Sequence, residues 1–279
     1  MKIAITVGHS ILKNRNCTSA DGVVNEYQYC KGLAPVLSDI LIKEGHTVNV
    51  IICPEKQFTS KSHEQPYKLS RINGKCYDLV IELHLNSSDN KNAKGVETIY
   101  HQNSSKGKAY AERIEKKIVG LGITSRGAKK QTEFVQKSFY ILSGTDCPAV
   151  IIESFFCTNK TEVDLVNKLG YKAIAIAISE GILNKNIDDT ISKKYTNAIV
   201  YSGDRDKAIA SLMKEFLPSS TIIDIADYKG HETENVYTIG GGASNSIDKF
   251  GGHVTKFVGT DFKETYRKVV EWLENSKLM

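Results

Sequence analysis

The strongest constraint on this chain is a regular alternation of strand-like and helix-like segments along its length. In the N-terminal part, apolar runs at 3–7, 47–52, 79–86, 96–100, 139–142 and 149–153 predict strands. Segments 26–44, 106–121, 160–168 and 171–183 carry helical periodicity, and positions 33, 36, 37, 40 and 41 give the first helix one apolar stripe. Alternation of this kind predicts an α/β fold, with a mostly parallel sheet flanked by helices.

The pattern is interrupted once. Residues 184–197, NKNIDDTISKKYTN, are polar and charged with little periodicity, and they read as a linker. Beyond it, strands at 198–201, 221–225, 236–239 and 254–258 and helices at 204–216 and 262–273 predict a smaller α/β domain. The expected organisation is 1–183, a linker at 184–197, and 198–279. Gly203-Asp204 and Gly259-Thr260-Asp261 each follow a strand and open a helix, which a glycine turn with an Asp or Thr cap explains. The run Gly240-Gly241-Gly242 lacks a wider phosphate-binding fingerprint and reads as a tight turn.

Charge separates the two parts. Residues 185–279 hold 13 basic and 14 acidic residues, a net of −1, whereas the rest of the chain has a net of +6. The basic excess is modest and no nucleic-acid reader motif accompanies it, so nucleic-acid binding is not expected. No stretch of eighteen apolar residues occurs, so no membrane insertion is expected. The short run before Gly8-His9 is a first strand rather than a signal peptide. Six cysteines, at 17, 30, 53, 76, 147 and 157, form no CxxC pair, which suits a reducing compartment.

Two of the seven histidines fall at strand ends, where open α/β sheets place their ligands. His9 follows the first strand, and His84 lies near the end of VIELHLN. Glu26 opens the first long helix, whose N-terminus returns to the same sheet edge. Either histidine alone is ordinary structure, and Glu26 alone is a favourable partner for a helix dipole. Together, two imidazoles and a carboxylate make a three-ligand zinc site with an open fourth position. Glu153 ends the apolar strand AVIIE, where a charge is costly unless paired or used, and it is the candidate general base. Glu82 shares a sheet face with His84, two residues away, and is a candidate supporting partner to that ligand. His46, His63, His101, His231 and His253 sit in turns, polar loops or strand flanks with no third ligand nearby in sequence.

Taken in order, GHS at 8–10, Glu26, IELHLN at 81–86, SRGAK at 125–129 and PAVIIESFFCTNKTEVDLV at 148–166 resemble the zinc-dependent N-acetylmuramoyl-L-alanine amidases of bacteria and their phages. The resemblance covers roughly 1–183 and implies a zinc amidase/exopeptidase-like fold. It implies zinc on His9, Glu26 and His84, with Glu153 as catalytic carboxylate. Ser10 stands where that family commonly has Gly, Glu82 where it has a small residue, and Phe155-Phe156 where Gly-Phe is usual.

The stretches YSGDRDKA, VYTIGGGASNSI and KFVGTDFKETYRK resemble one copy of the clostridial cell-wall-binding repeat of the second type. The pair implies a phage endolysin of a clostridial host. Such an enzyme would stay in the host cytoplasm until lysis and then act at the wall. Its partners would be peptidoglycan and an associated wall polymer. A zinc peptidase cutting the stem peptide is the alternative, because metal-assisted amide hydrolysis does not itself choose the amide.

Overall fold

The computed structural model describes residues 1–187, 196–228, 233, 235–247 and 254–279. The chain divides into two compact units, Met1–Ile187 and Asp188–Met279. Most of the expected linker, 188–195, lies outside the described residues, as do His231 and His253.

The first unit runs β1 (Lys2–Val7), α1 (Glu26–Lys43), β2 (Thr47–Ile51), α2 (Glu64–Ile72), β3 (Leu79–Asn86), β4 (Val96–Tyr100), α3 (Ser105–Val119), β5 (Ser125–Lys130), α4 (Tyr140–Ser143), β6 (Ala149–Phe156) and α5 (Lys160–Leu183). The strands form one six-stranded sheet in the order β2-β1-β3-β6-β4-β5. Every neighbouring pair is parallel except β4 with β6. The expected mostly parallel, helix-flanked α/β fold is the one observed.

Side-chain alternation divides this sheet into two faces. One face is mainly apolar: Ile3, Ile5, Leu79, Ile81, Leu83, Val150 and Ile152 pack against Leu33, Leu37 and Leu41 of α1, Ile114 of α3 and Ile178 of α5. Full burial of a leucine or isoleucine contributes about 1.5–3 kcal/mol, so this face supplies most of the unit's cohesion. The other face has a smaller apolar cluster, in which Ala4, Val80, Ile99 and Ile151 meet Ile72 of α2 and Ile141 of α4. The rest of that face is polar and carries the site.

One local expectation is corrected, and two elements were not expected. Residues 139–142 form no strand; they enter α4, a single turn tied down where the Phe139 N–H donates to Gln131 Oε1 at 3.1 Å. A short apolar run is compatible with either element, and here the Gln131 anchor and Gly144 close a turn. SRGAK is the edge strand β5, irregular because Gly127 has φ +86° and the β4–β5 register shifts beside it. α2 has no counterpart among the expected elements. By contrast, the expected break between 168 and 171 is present inside α5, where Gly170 leaves helical geometry with φ 73° and ψ 167°.

The second unit contains β7 (Asn197–Tyr201), α6 (Asp204–Phe216), β8 (Ser220–Asp224), β9 (Asn235–Ile239), α7 (Gly240–Ser246), β10 (Val254–Phe257) and α8 (Phe262–Asn275). Its four strands lie in the order β10-β9-β7-β8, all parallel. Ile199, Met213, Ile239, Phe257 and Leu273 form its larger cluster. The glycine run at 240–242 opens α7 rather than making a tight turn. The two expected caps also differ: Asp261 accepts from the Glu264 N–H, but α6 is preceded by Gly203 with no side-chain cap bond. Among the described residues, no helix is long and apolar enough to cross a membrane.

Candidate metal centre and active site

The site is assembled at the C-terminal ends of β1, β3 and β6. The Gly8 N–H donates to Leu83 O at 2.9 Å and extends the β1–β3 ladder past the end of β1. A Cβ at position 8 would lie 2.2 Å from Cε1 of His84, so only glycine lets that imidazole stand against the strand end. The next residue, His9, turns the chain with φ 66°, a conformation non-glycine residues rarely adopt. Asn25 caps α1 by accepting the Gln28 N–H, which fixes Glu26 as the first helical residue.

Glu26 lies between the two imidazoles. Its Oε1 is 2.9 Å from His84 Nδ1 and 3.1 Å from His9 Nε2. The Leu85 N–H donates to the same oxygen at 3.1 Å, and the Ala20 N–H donates to Oε2 at 3.1 Å. The imidazoles meet edge to face with centroids 4.9 Å apart. Burial would raise the Glu26 carboxyl, but the bonds from His84 and His9 outweigh it and hold the group well below the usual carboxylate range. Burial would likewise lower His84, yet Glu26 and Glu82 outweigh it and lift the imidazole to about 10.

Glu153 stands opposite His84 in the β3–β6 register and opposite Glu97 in the β6–β4 register. Burial, reinforced by the charges of Glu26, Glu97 and Glu82 against the opposing pull of His84, raises its carboxyl to about 8. Its Oε2 is buried and has no hydrogen-bond partner, and the same is true of His9 Nδ1. Both residues line an open cleft of about 460 Å³, together with Glu26, Glu64, Glu82 and His84.

His9, Glu26 and His84 offer ligand atoms that all lie within 4.8 Å of one another. Tetrahedral zinc with ligands at about 2.0–2.1 Å separates them by roughly 3.3 Å, near the 2.9 and 3.1 Å spacings found here. Two imidazoles, one carboxylate, an unpartnered catalytic-type carboxylate and an open cleft fit a zinc ion. A dication in this cluster would take over the role now played by the proton on His84.

Glu82 is close to His84, as its position on the strand suggested. Its Oε1 lies 3.1 Å from His84 Nε2, and its Oε2 accepts from Lys68 Nζ at 2.8 Å, Thr6 Oγ1 at 3.0 Å and Tyr140 Oη at 3.4 Å. Burial opposes ionisation of Glu82, but Lys68 and His84 outweigh it, so the carboxyl lies well below its ordinary range. Lys68 and Glu64, both from α2, are the site residues that sequence reasoning passed over. Their i, i+4 spacing, with Ile72 four further on, was the available signal.

The remaining described histidines lie elsewhere. His46 Nδ1 is 3.1 Å from the N-terminal amine, His63 stacks on Phe58, and His101 Nδ1 accepts the Asn103 N–H.

Comparison with known proteins gives the family of the first unit. The N-acetylmuramoyl-L-alanine amidase family matches residues 3–184. A solved structure titled the catalytic domain of CD27L endolysin targeting Clostridia Difficile is 56% identical, with a TM-score of 0.63, over 67% of this chain and 99% of that one. An uncharacterised Clostridium perfringens protein is 27% identical over 243 residues, 82% of this chain and 67% of that protein. The amidase LytC of Bacillus subtilis is 29% identical over 133 residues, 45% of this chain and 26% of LytC. The chain spans 53% of the length of a second uncharacterised C. perfringens relative. With the family matched across nearly the whole first unit, this chain belongs to the N-acetylmuramoyl-L-alanine amidases.

Proposed function

We propose that the first unit hydrolyses the amide between the lactyl group of N-acetylmuramic acid and the L-alanine of the peptidoglycan stem peptide. His9, Glu26 and His84 would hold zinc. When bound, the ion polarises the scissile carbonyl and acidifies the attacking water. Glu153 takes the proton of that water at its unpartnered Oε2 and returns it to the departing alanine nitrogen. Glu82 keeps the His84 ring in one orientation. The observation that carries this reading is the register of β3 with β6, which sets an unpartnered buried carboxylate beside the His-Glu-His cluster.

The second unit, Asp188–Met279, would hold the enzyme to a wall polymer. The likeness of its YSGDRDKA, VYTIGGGASNSI and KFVGTDFKETYRK stretches to a wall-binding repeat supports this role. The 56% identity of the first unit to an endolysin catalytic domain supports a phage endolysin, released from the host cytoplasm onto the wall at lysis.

The test is a digest of purified clostridial peptidoglycan, with and without a chelator, scored for new termini. New N-terminal alanine without new reducing sugars, abolished by chelation and restored by zinc, is the expected result. Termini deeper in the stem peptide would make the protein a zinc peptidase instead. No new termini on a wall to which the chain still binds would remove the catalytic reading.

A further inference from the structure

Helix α2 turns three buried residues inward, one turn apart: Glu64, Lys68 and Ile72. Only Ile72 joins an apolar cluster. The other two carry charge into the interior, and each leads to a different histidine. Glu64 Oε1 accepts from Ser10 Oγ at 2.8 Å and from Thr18 Oγ1 at 2.6 Å. Thr18 Oγ1 in turn accepts the Ser10 N–H at 3.0 Å. Ser10 is therefore clamped through both its backbone and its side chain, immediately after His9 in its left-handed conformation.

Lys68 reaches the other ligand. Its side chain is wholly buried, and Nζ donates to Glu82 Oε2 at 2.8 Å, while Glu82 Oε1 meets His84 Nε2 at 3.1 Å. A buried ion pair is poor value as packing, since methionine would fill a similar volume without desolvating a charge. What the lysine adds is direction. With Thr6 and Tyr140 also on Oε2, it leaves Oε1 aimed at His84. That contact engages Nε2 and leaves Nδ1 turned toward Glu26.

We propose that Glu64 and Lys68 are positioning residues for the metal centre, and that α2 braces both histidine ligands at once, His9 through Ser10 and His84 through Glu82. This inference rests on the reading that His9, Glu26 and His84 bind zinc.

The test measures zinc affinity of the full chain by competition with a chromophoric chelator, and the visible spectrum of the cobalt-substituted protein. Lys68→Met and Glu64→Ala are each expected to weaken zinc binding by about 10- to 100-fold and to alter the cobalt bands. Glu64→Gln, which keeps an acceptor for the two hydroxyls, should recover part of the loss. Because Lys68 acts through Glu82, adding Lys68→Met to Glu82→Gln should change affinity far less than Lys68→Met does alone. If Lys68→Met does not fold, the comparison of Glu82→Gln with Lys68→Met/Glu82→Gln takes its place, and a further tenfold loss there overturns the Lys68 arm. Folded variants that bind zinc within twofold of the parent, with unchanged cobalt bands, would reduce α2 to packing. Absence of zinc binding by the parent chain would instead defeat the metal reading, and the brace with it.

Discussion

The two faces of the first unit's sheet are built from the same strands and have opposite characters. Beneath α1, α3 and α5, the alternate residues are mainly Ile, Leu and Val, and the one buried threonine of β4 on this face, Thr98, donates its hydroxyl to Ala111 O of α3. On the face covered by α2 and α4, the same strands present Thr6, Glu82, His84 and Glu153, and the covering helices contribute Glu64, Lys68 and Tyr140. The first face is an apolar interior that many sequences could supply. The second holds charges whose burial is tolerable only because nearly every one has a designated partner. Glu153 Oε2, a buried atom on this face without a partner, is where the proton transfer is expected.

Mutations that separate the faces test this division. Glu153→Gln should lower amide cleavage by roughly two or more orders of magnitude while the fold survives, read as turnover on peptidoglycan beside an unchanged circular dichroism spectrum. Near-normal turnover would remove Glu153 from its assigned role. On the opposite face, Leu37→Ala should destabilise the unit by about 2–5 kcal/mol in denaturant unfolding, with unchanged specific activity of the folded fraction. An activity loss exceeding the stability loss would show that the faces are coupled.

A subtler effect concerns pH in chelator-treated protein. Glu153 titrates near 8 when folded, against an ordinary 4.5, so the native state binds this proton more tightly than the unfolded chain. The resulting stability is fully present below about 4.5 and is lost as pH rises through about 8. Glu153→Gln lacks that dependence, so its Tm should gain on the parent between pH 5 and pH 9. A constant Tm difference across that range would mean that the carboxylate is not desolvated. The smallest expected effect is in the second unit, where a net of −1 over 185–279 leaves little for salt to screen. Wall binding by the whole chain should survive 0.5 M salt, measured by pull-down on purified walls, and release would point to an electrostatic contact instead.

The sequence exposed the apolar face more readily than the polar one. Strands β1, β3 and β6 were legible because their apolar runs are long, and His9, His84 and Glu153 followed because strand ends are where such sheets hold ligands. Glu26 was legible because it opens a long helix. α2 was not, since its inward stripe is Glu64, Lys68 and Ile72, and a search for apolar periodicity passes over two of the three. β5 was missed because an edge strand broken at Gly127 needs little apolar character. The partners of Glu82 come from three separate segments, so only the fold could reveal them.

The closeness of position 8 to the His84 ring has a practical consequence. A search for inactive variants would begin with polar and titratable groups, and glycine has none. Yet Gly8→Ala would introduce a methyl group into the space the imidazole occupies, leaving every ligand, proton carrier and surface charge chemically intact. On the proposed function, such a chain should keep wall binding and lose most of its cutting. It would serve as a charge-matched decoy for separating adhesion from lysis on living cells.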